Sequence, residues 1–177
     1  MAAAKKPAKK VTKPSSRAPK AASSSRPVAE KYTSTALSLE SVSQDFARAD
    51  LRFDGVDHSQ STFEARVFLN NAEANEKTPT TPESGYAGRF HIFGHGGCFG
   101  DVGHCEVRGP RRPFDPRPTH PLTPATKIVI ATEAIRQALA KGKRVTVTVV
   151  PIVLSGTRLC DFKKVLKFDK ISVVTYR

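Results

Sequence analysis

The chain has 177 residues and a formal net charge of +13, with 29 basic and 16 acidic side chains. This length is sufficient for one domain with its own hydrophobic core. The apolar runs are too short for a secretory signal or a membrane span, so we expect a cytoplasmic protein that contacts no membrane.

The basic excess is concentrated in residues 1–28, which carry eight basic side chains and no acidic one. This segment is rich in alanine, lysine, proline and serine, and it cannot bury enough apolar surface to offset its chain entropy. We predict that residues 1–44 form a disordered basic tail and linker. Its cations are candidates to bind nucleic acid or another polyanion by releasing counterions, and the alternative is an extension that only increases solubility. The candidate residues are Lys5, Lys6, Lys9, Lys10, Lys13, Arg17 and Lys20.

From residue 45 onward, short apolar runs alternate with turn residues, a pattern typical of β-strands. Within residues 62–69 the apolar side chains alternate until Phe68, which breaks the pattern and indicates a second apolar surface. The pair Asp54 and Gly55 indicates a turn, and Pro151 is expected to end the strand before it. The predicted strands are residues 49–53, 62–69, 86–93, 127–131 and 145–150, with one bent strand or two short ones in 165–176.

Residues 132–140 are the one good helix candidate, with Thr132 as the N-cap and Gly142 beyond the end. A single helix is too little for repeated parallel βαβ units. We therefore predict that residues 45–177 form an all-β domain, an antiparallel β-sandwich of jelly-roll type with one short helix.

The segment from His91 to Cys105 is dense in groups that bind metals. It holds three of the five histidines, two of the three cysteines and five of the eleven glycines. Imidazole and thiolate together suit Zn(II), or Cu(I) if sulfur dominates, and glycines let a short loop direct several ligands to one point. The alternative is a tight structural corner with buried cysteines and with histidines bonded to the backbone. The candidate metal ligands are His91, His95, Cys98, His104 and Cys105.

Two further features leave alternatives open. Three cysteines is an odd number, and a reducing compartment would keep them as thiols. The alternative is that Cys98 and Cys105 pair, which requires that the loop brings them close and that the environment is oxidising. Residues 109–124 contain six prolines and predict a stiff extended strap, whose arginines could bind an anion or simply face solvent. Those arginines are Arg108, Arg111, Arg112 and Arg117.

Several segments together resemble one known module, the C-terminal β-sandwich domain of the tyrosinase and polyphenol oxidase family. A GxxGxF pattern is filled by Gly85, Gly88 and Phe90, and the order of the segments is more specific than any one of them. The segments that carry the resemblance are residues 65–75, 85–96, 127–135, 145–152 and 166–176.

The resemblance implies an accessory domain and not an enzyme. The catalytic domain of that family holds two copper ions with six histidines, whereas this chain has five histidines in total. In the family the module packs over the copper site and shields it from substrate, and in some members it helps to load metal. The implied partner is a tyrosinase-type copper enzyme, and Cu(I) becomes the sharper choice for the turn. The alternative function is polyanion binding through the tail, and a third is self-association through an edge strand.

Overall fold

The computed structural model describes residues 28–96, 103–106, 120–153 and 165–177. Predictions about residues 1–27 and about the arginines of the proline strap therefore lie outside the described residues. None of the helices in the described ranges has the length and apolar character needed to cross a lipid bilayer.

Nine strands, one α-helix and one 3-10 turn make up the described part of the chain. The helix α1 spans Thr132–Lys141, and the 3-10 turn spans Pro82–Ser84. The strands are β1 Tyr32–Thr33, β2 Leu37–Ser38, β3 Arg48–Val56, β4 Phe63–Leu69, β5 Tyr86–Ile92, β6 Ala125–Ile130, β7 Arg144–Val145, β8 Val147–Val153 and β9 Lys170–Tyr176.

The strands form three sheets in which every pairing is antiparallel. A four-stranded sheet has the order β1-β8-β4-β5, a three-stranded sheet has the order β6-β3-β9, and β2 pairs with β7. The prediction of an antiparallel sandwich with one short helix is confirmed.

The main core lies between the four-stranded and three-stranded sheets. Phe63, Ala65 and Val67 of β4 are buried because alternate residues of a strand point to the same face. From the other sheet, Phe53 reaches across to Phe90, with ring centroids 5.0 Å apart. The period-two pattern of the sequence therefore produces the two facing layers.

A second, smaller apolar cluster lies apart from the main core and is centred on Phe68. It contains Ala74 and Val150, with Tyr86 and Ile152 packed against it. The loop that supplies Ala74 is fixed by Lys31, whose Nζ donates to the carbonyl of Ala72 at 2.6 Å. The second apolar surface indicated by Phe68 is thus present.

The fold begins earlier in the chain than residue 45. Tyr32 of β1 pairs with Val149, Leu37 of β2 pairs with Val145, and Leu39 is buried. The sequence predicts a linker for residues 28–44 because serine and threonine dominate there, and the two short strands lack a clear apolar pattern. The described sheets therefore include residues that the sequence assigned to the tail and linker.

Three local predictions were wrong. Asp54 and Gly55 lie inside β3, where the pairing register with β6 shifts, so the turn signal marks an irregularity within a strand. Pro151 lies inside β8 and pairs with Ala65. It is tolerated because β1 pairs only with Thr148 and Val149, so beyond them β8 has no second neighbour among the described residues.

The third concerns the start of the helix. Ala131 occupies the N-cap position and makes no side-chain capping bond. The hydroxyl of Thr132 instead accepts a hydrogen bond from the backbone N–H of Ala49 at 3.1 Å. Thr132 therefore joins the helix to β3 and does not cap it.

Candidate functional site

The predicted metal-binding turn begins where β5 ends. Residues 94–96 run along the segment that precedes β4, and backbone groups connect the two. The N–H of Gly94 donates to Thr62 Oγ1 at 3.0 Å, and the N–H of His95 donates to the carbonyl of His58 at 2.8 Å. Phe93, just before this contact, is 84% exposed. The backbone on one side of Phe93 is therefore anchored while its ring faces solvent.

Four of the five histidines gather at this place, which we call the histidine corner (His58, His95, His104 and His120). The rings of His95 and His120 have centroids 4.9 Å apart, and the N–H of His120 donates to the carbonyl of His104 at 3.0 Å. The Nε2 of His58 lies 2.8 Å from the carbonyl oxygen of Thr123. Of the bonds named here, the one made by an imidazole ring is that of His58, and it goes to a backbone carbonyl.

The corner also contains charged and polar groups that stabilise it. Burial alone would raise the pKa of Asp57, but bonds from Ser59 and the charges of Lys167 and His58 keep this pKa below its ordinary value. The Ser59 N–H donates to the Asp57 carboxylate at 2.8 Å. The Oε1 atom of Gln60 is buried and has no hydrogen-bond partner among the described residues.

The five predicted metal ligands do not gather into one described site. His91 lies on the exposed face of β5 beside Glu64, and Cys98 lies outside the described residues. Within the described ranges, no three His, Cys, Asp or Glu side chains come together in a way that could hold a metal ion. The set with Cys98 included stays a prediction.

Cys105 is disulfide-bonded, which differs from the thiols expected for a reducing compartment. A disulfide sulfur carries no thiolate, and the thiolate is the form that binds Zn(II) and Cu(I). Disulfides persist mainly in oxidising compartments. Cys105 is therefore unsuited to bind metal in this state.

His58 and His120 are the members of the corner that were absent from the predicted set. Their separation in the chain gives them no ligand spacing, and only the folded path of residues 58–62 and 120–123 brings them near His95. The one available signal in the sequence was that these two residues are among only five histidines in the chain.

A second charged cluster lies on the outer face of the four-stranded sheet. The carboxylate of Glu64 lies 2.8 Å from Arg66 Nε, 3.8 Å from Arg89 Nη1 and 3.7 Å from His91 Nε2. Burial alone would raise the pKa of Glu64, but the Arg66 hydrogen bond and the three neighbouring charges keep it below its ordinary value. Glu64 is therefore the shared anion of a cationic cluster.

An open groove of about 290 Å³ separates α1 from the turn before β5. Glu83 lies on one side of it, and Gln137 and Lys141 lie on the other. All three of these side chains are exposed. Tyr86 also lines the groove, and its partial burial raises the pKa of its phenol.

Comparison with known proteins gives matches among solved structures alone. No protein-family model and no curated protein matches the chain. A latent aurone synthase (polyphenol oxidase) from natural source is 18% identical with a TM-score of 0.47, and the match covers 82% of this chain and 24% of that one. A recombinantly expressed latent aurone synthase is 17% identical with a TM-score of 0.46 and the same coverage. The chain thus spans about a quarter of the length of the solved structures that it matches.

Proposed function

We propose that this chain is a non-catalytic accessory domain that binds a tyrosinase-type copper enzyme. One observation carries the proposal: the segments that resemble the family's C-terminal module occupy successive elements of a single sandwich. Residues 85–96 supply β5 and its turn, and residues 127–135 supply β6 and the start of α1. Residues 145–152 supply the second residue of β7 and all of β8 but its last residue, and residues 166–176 contain β9. This agreement between the resembling segments and successive elements of the sandwich supports the proposal.

Phe93 is the side chain that we expect to contact the partner. It is the most exposed large apolar residue among those described, at 84%. Because Gly94 and His95 are hydrogen-bonded to residues 58–62, little backbone freedom would be lost when Phe93 is covered. Burying a phenylalanine side chain contributes about 1.5–3 kcal/mol, which corresponds to roughly 10- to 150-fold in affinity.

The test uses a six-histidine dicopper catalytic domain prepared without its own C-terminal domain. The purified chain is titrated into it while calorimetry reports binding and the rate of o-diphenol oxidation reports shielding. We expect a complex and a slower oxidation rate. Absence of both at about 100 μM of this chain would overturn the proposal, since even a weak complex would be populated there.

Two variants localise the contact. Phe93→Ala should weaken binding by roughly 10-fold or more. Ile130→Ala is the matched control, because Ile130 is also a large exposed apolar residue, at 61%, but lies on β6 of the other sheet. Equal losses in the two variants would contradict the assignment of Phe93.

A second candidate function is polyanion binding through the tail, favoured by the eight basic and no acidic residues in positions 1–28. The affinity for duplex DNA should fall steeply with salt. A plot of the logarithm of the binding constant against the logarithm of the salt concentration should have a slope of about −0.9 per phosphate neutralised. Deletion of residues 1–28 should abolish both the affinity and its salt dependence. Survival of either in the truncated chain would exclude the tail as the binding element.

A further inference from the structure

Two arginines occupy directly opposite positions on neighbouring strands of the four-stranded sheet. The register pairs Arg66 of β4 with Arg89 of β5. Like charges at directly opposite positions of antiparallel strands repel each other and destabilise the pair. Such an arrangement needs a counter-anion nearby.

The chain itself supplies one carboxylate for both arginines. Glu64 Oε1 lies 2.8 Å from Arg66 Nε but 3.8 Å from Arg89 Nη1, which is beyond hydrogen-bond distance. Its other oxygen, Oε2, lies 3.7 Å from His91 Nε2. Arg66 is further committed, because its Nη1 donates to the carbonyl of Glu76 at 3.1 Å. Arg89 is thus the arginine whose donors remain least used.

The other sheet shows the contrast within the same molecule. There, Arg48 lies 2.7 Å from Asp50 and Arg52 lies 2.8 Å from Asp54, so each arginine has its own carboxylate. Both sheets use the same arrangement of an arginine and an acid two residues apart on one strand. The four-stranded sheet differs by the additional guanidinium of Arg89.

We infer that Arg89, with Arg66 and His91 beside it, forms a binding site for an oxyanion, either a carboxylate or a phosphate. The guanidinium offers five N–H donors in a planar fork that matches two oxygens of such a group. The Arg89 side chain is 59% exposed and Glu64 is 14% exposed, so an arriving anion meets the donors before the carboxylate. Bound there, the anion offsets the repulsion between the opposed arginines.

The experiment follows arginine Nε–Hε signals by NMR in the ¹⁵N-labelled chain of 177 residues. Inorganic phosphate is titrated against chloride of equal ionic strength, and a short glutamate-rich peptide is titrated separately. We expect a saturable shift of the Arg89 signal with a Kd of roughly 1–10 mM for phosphate. Followed by the Arg66 signal, Arg89→Gln should weaken binding at least 10-fold, and Arg89→Lys, which keeps the charge but loses the fork, should weaken it by less.

Arg52→Gln is the matched control, because Arg52 is 50% exposed and ion-paired on its own strand. It should leave phosphate binding unchanged. Saturation with phosphate alone identifies a free phosphate as the ligand, and a peptide affinity at least 10-fold above that for phosphate identifies carboxylates of a protein partner. The inference is overturned if neither titration saturates, or if the Arg52 and Arg89 signals shift equally. None of these outcomes depends on whether a copper enzyme binds.

Discussion

Replacing Gly88 by alanine should open the junction between the two sheets of the sandwich. Gly88 lies in β5 with a φ of +141°, a value that residues with a side chain rarely adopt. A Cβ at this position would lie 2.5 Å from Val129 Cγ1 of β6. Gly88 is therefore where the edge of the four-stranded sheet approaches the edge of the three-stranded sheet.

The magnitude has two parts. Holding alanine at this backbone conformation costs about 1–3 kcal/mol, and the forced contact with Val129 costs about 1–3 kcal/mol in a packed core. Gly88→Ala should therefore lower the free energy of unfolding by about 2–6 kcal/mol. Against a typical stability of about 5–15 kcal/mol, this loss is large enough to shift the urea midpoint clearly.

Urea unfolding of three further variants separates the cost of backbone strain from the cost of the contact. They are Gly96→Ala, Val129→Ala and the double variant with Gly88→Ala and Val129→Ala. Gly96→Ala is the control for backbone strain, because Gly96 has a φ of +74° and none of the described atoms lies within 4 Å of an added Cβ. Val129→Ala removes the clashing methyl, so Gly88→Ala should cost about 1–3 kcal/mol less in that background. The reasoning fails if Gly88→Ala costs no more than Gly96→Ala, or if Val129→Ala leaves the cost unchanged.

Three other predictions follow from the packing and charges. Phe68→Ala should lower the free energy of unfolding by about 3 kcal/mol and should speed proteolysis within residues 70–84. Equally fast cleavage elsewhere in the chain would argue against a separate cluster. Glu64→Gln should destabilise the protein by about 1–3 kcal/mol at neutral pH. Because the pKa of Glu64 is lowered in the folded state, this difference should shrink as the pH falls below the ordinary value of 4.5, and a constant difference would contradict the ion pairing. Reduction of the Cys105 disulfide should lower the free energy of unfolding by about 2–4 kcal/mol. Before reduction, calorimetry should show that Zn(II) and Cu(I) bind this protein no more tightly than they bind a variant with Cys98→Ala and Cys105→Ala.

The sheet layers were predictable because alternation is a local property of the sequence. The alternating run that ends at Phe68 predicted both the buried face of β4 and the second apolar cluster. Pro151 and Thr132 were misread because their roles depend on distant strands. A proline fits β8 where β1 stops, and the Thr132 hydroxyl is used by Ala49 of β3.

The sites were less accessible to sequence reasoning, since each depends on which segments become neighbours. The glycine-rich turn marked the place of the histidine corner, but the approach of His58 and His120 comes from loops far apart in the chain. Likewise, Arg66 and Arg89 become an opposed pair only in the register that β4 and β5 adopt. A shift by one residue would place the two guanidinium groups on opposite faces.

The position of β3 has a consequence for synthesis on the ribosome. This strand is central in its sheet, yet its two neighbours are β6 at residues 125–130 and β9 at residues 170–176. The β1 strand likewise pairs with a strand that is synthesised much later, since Thr148 of β8 comes 115 positions after Thr33. A nascent chain that has emerged only to residue 96 therefore presents β3 with both edges unpaired and its apolar face uncovered. Such a chain is a natural client for chaperones that bind exposed apolar segments until translation is complete.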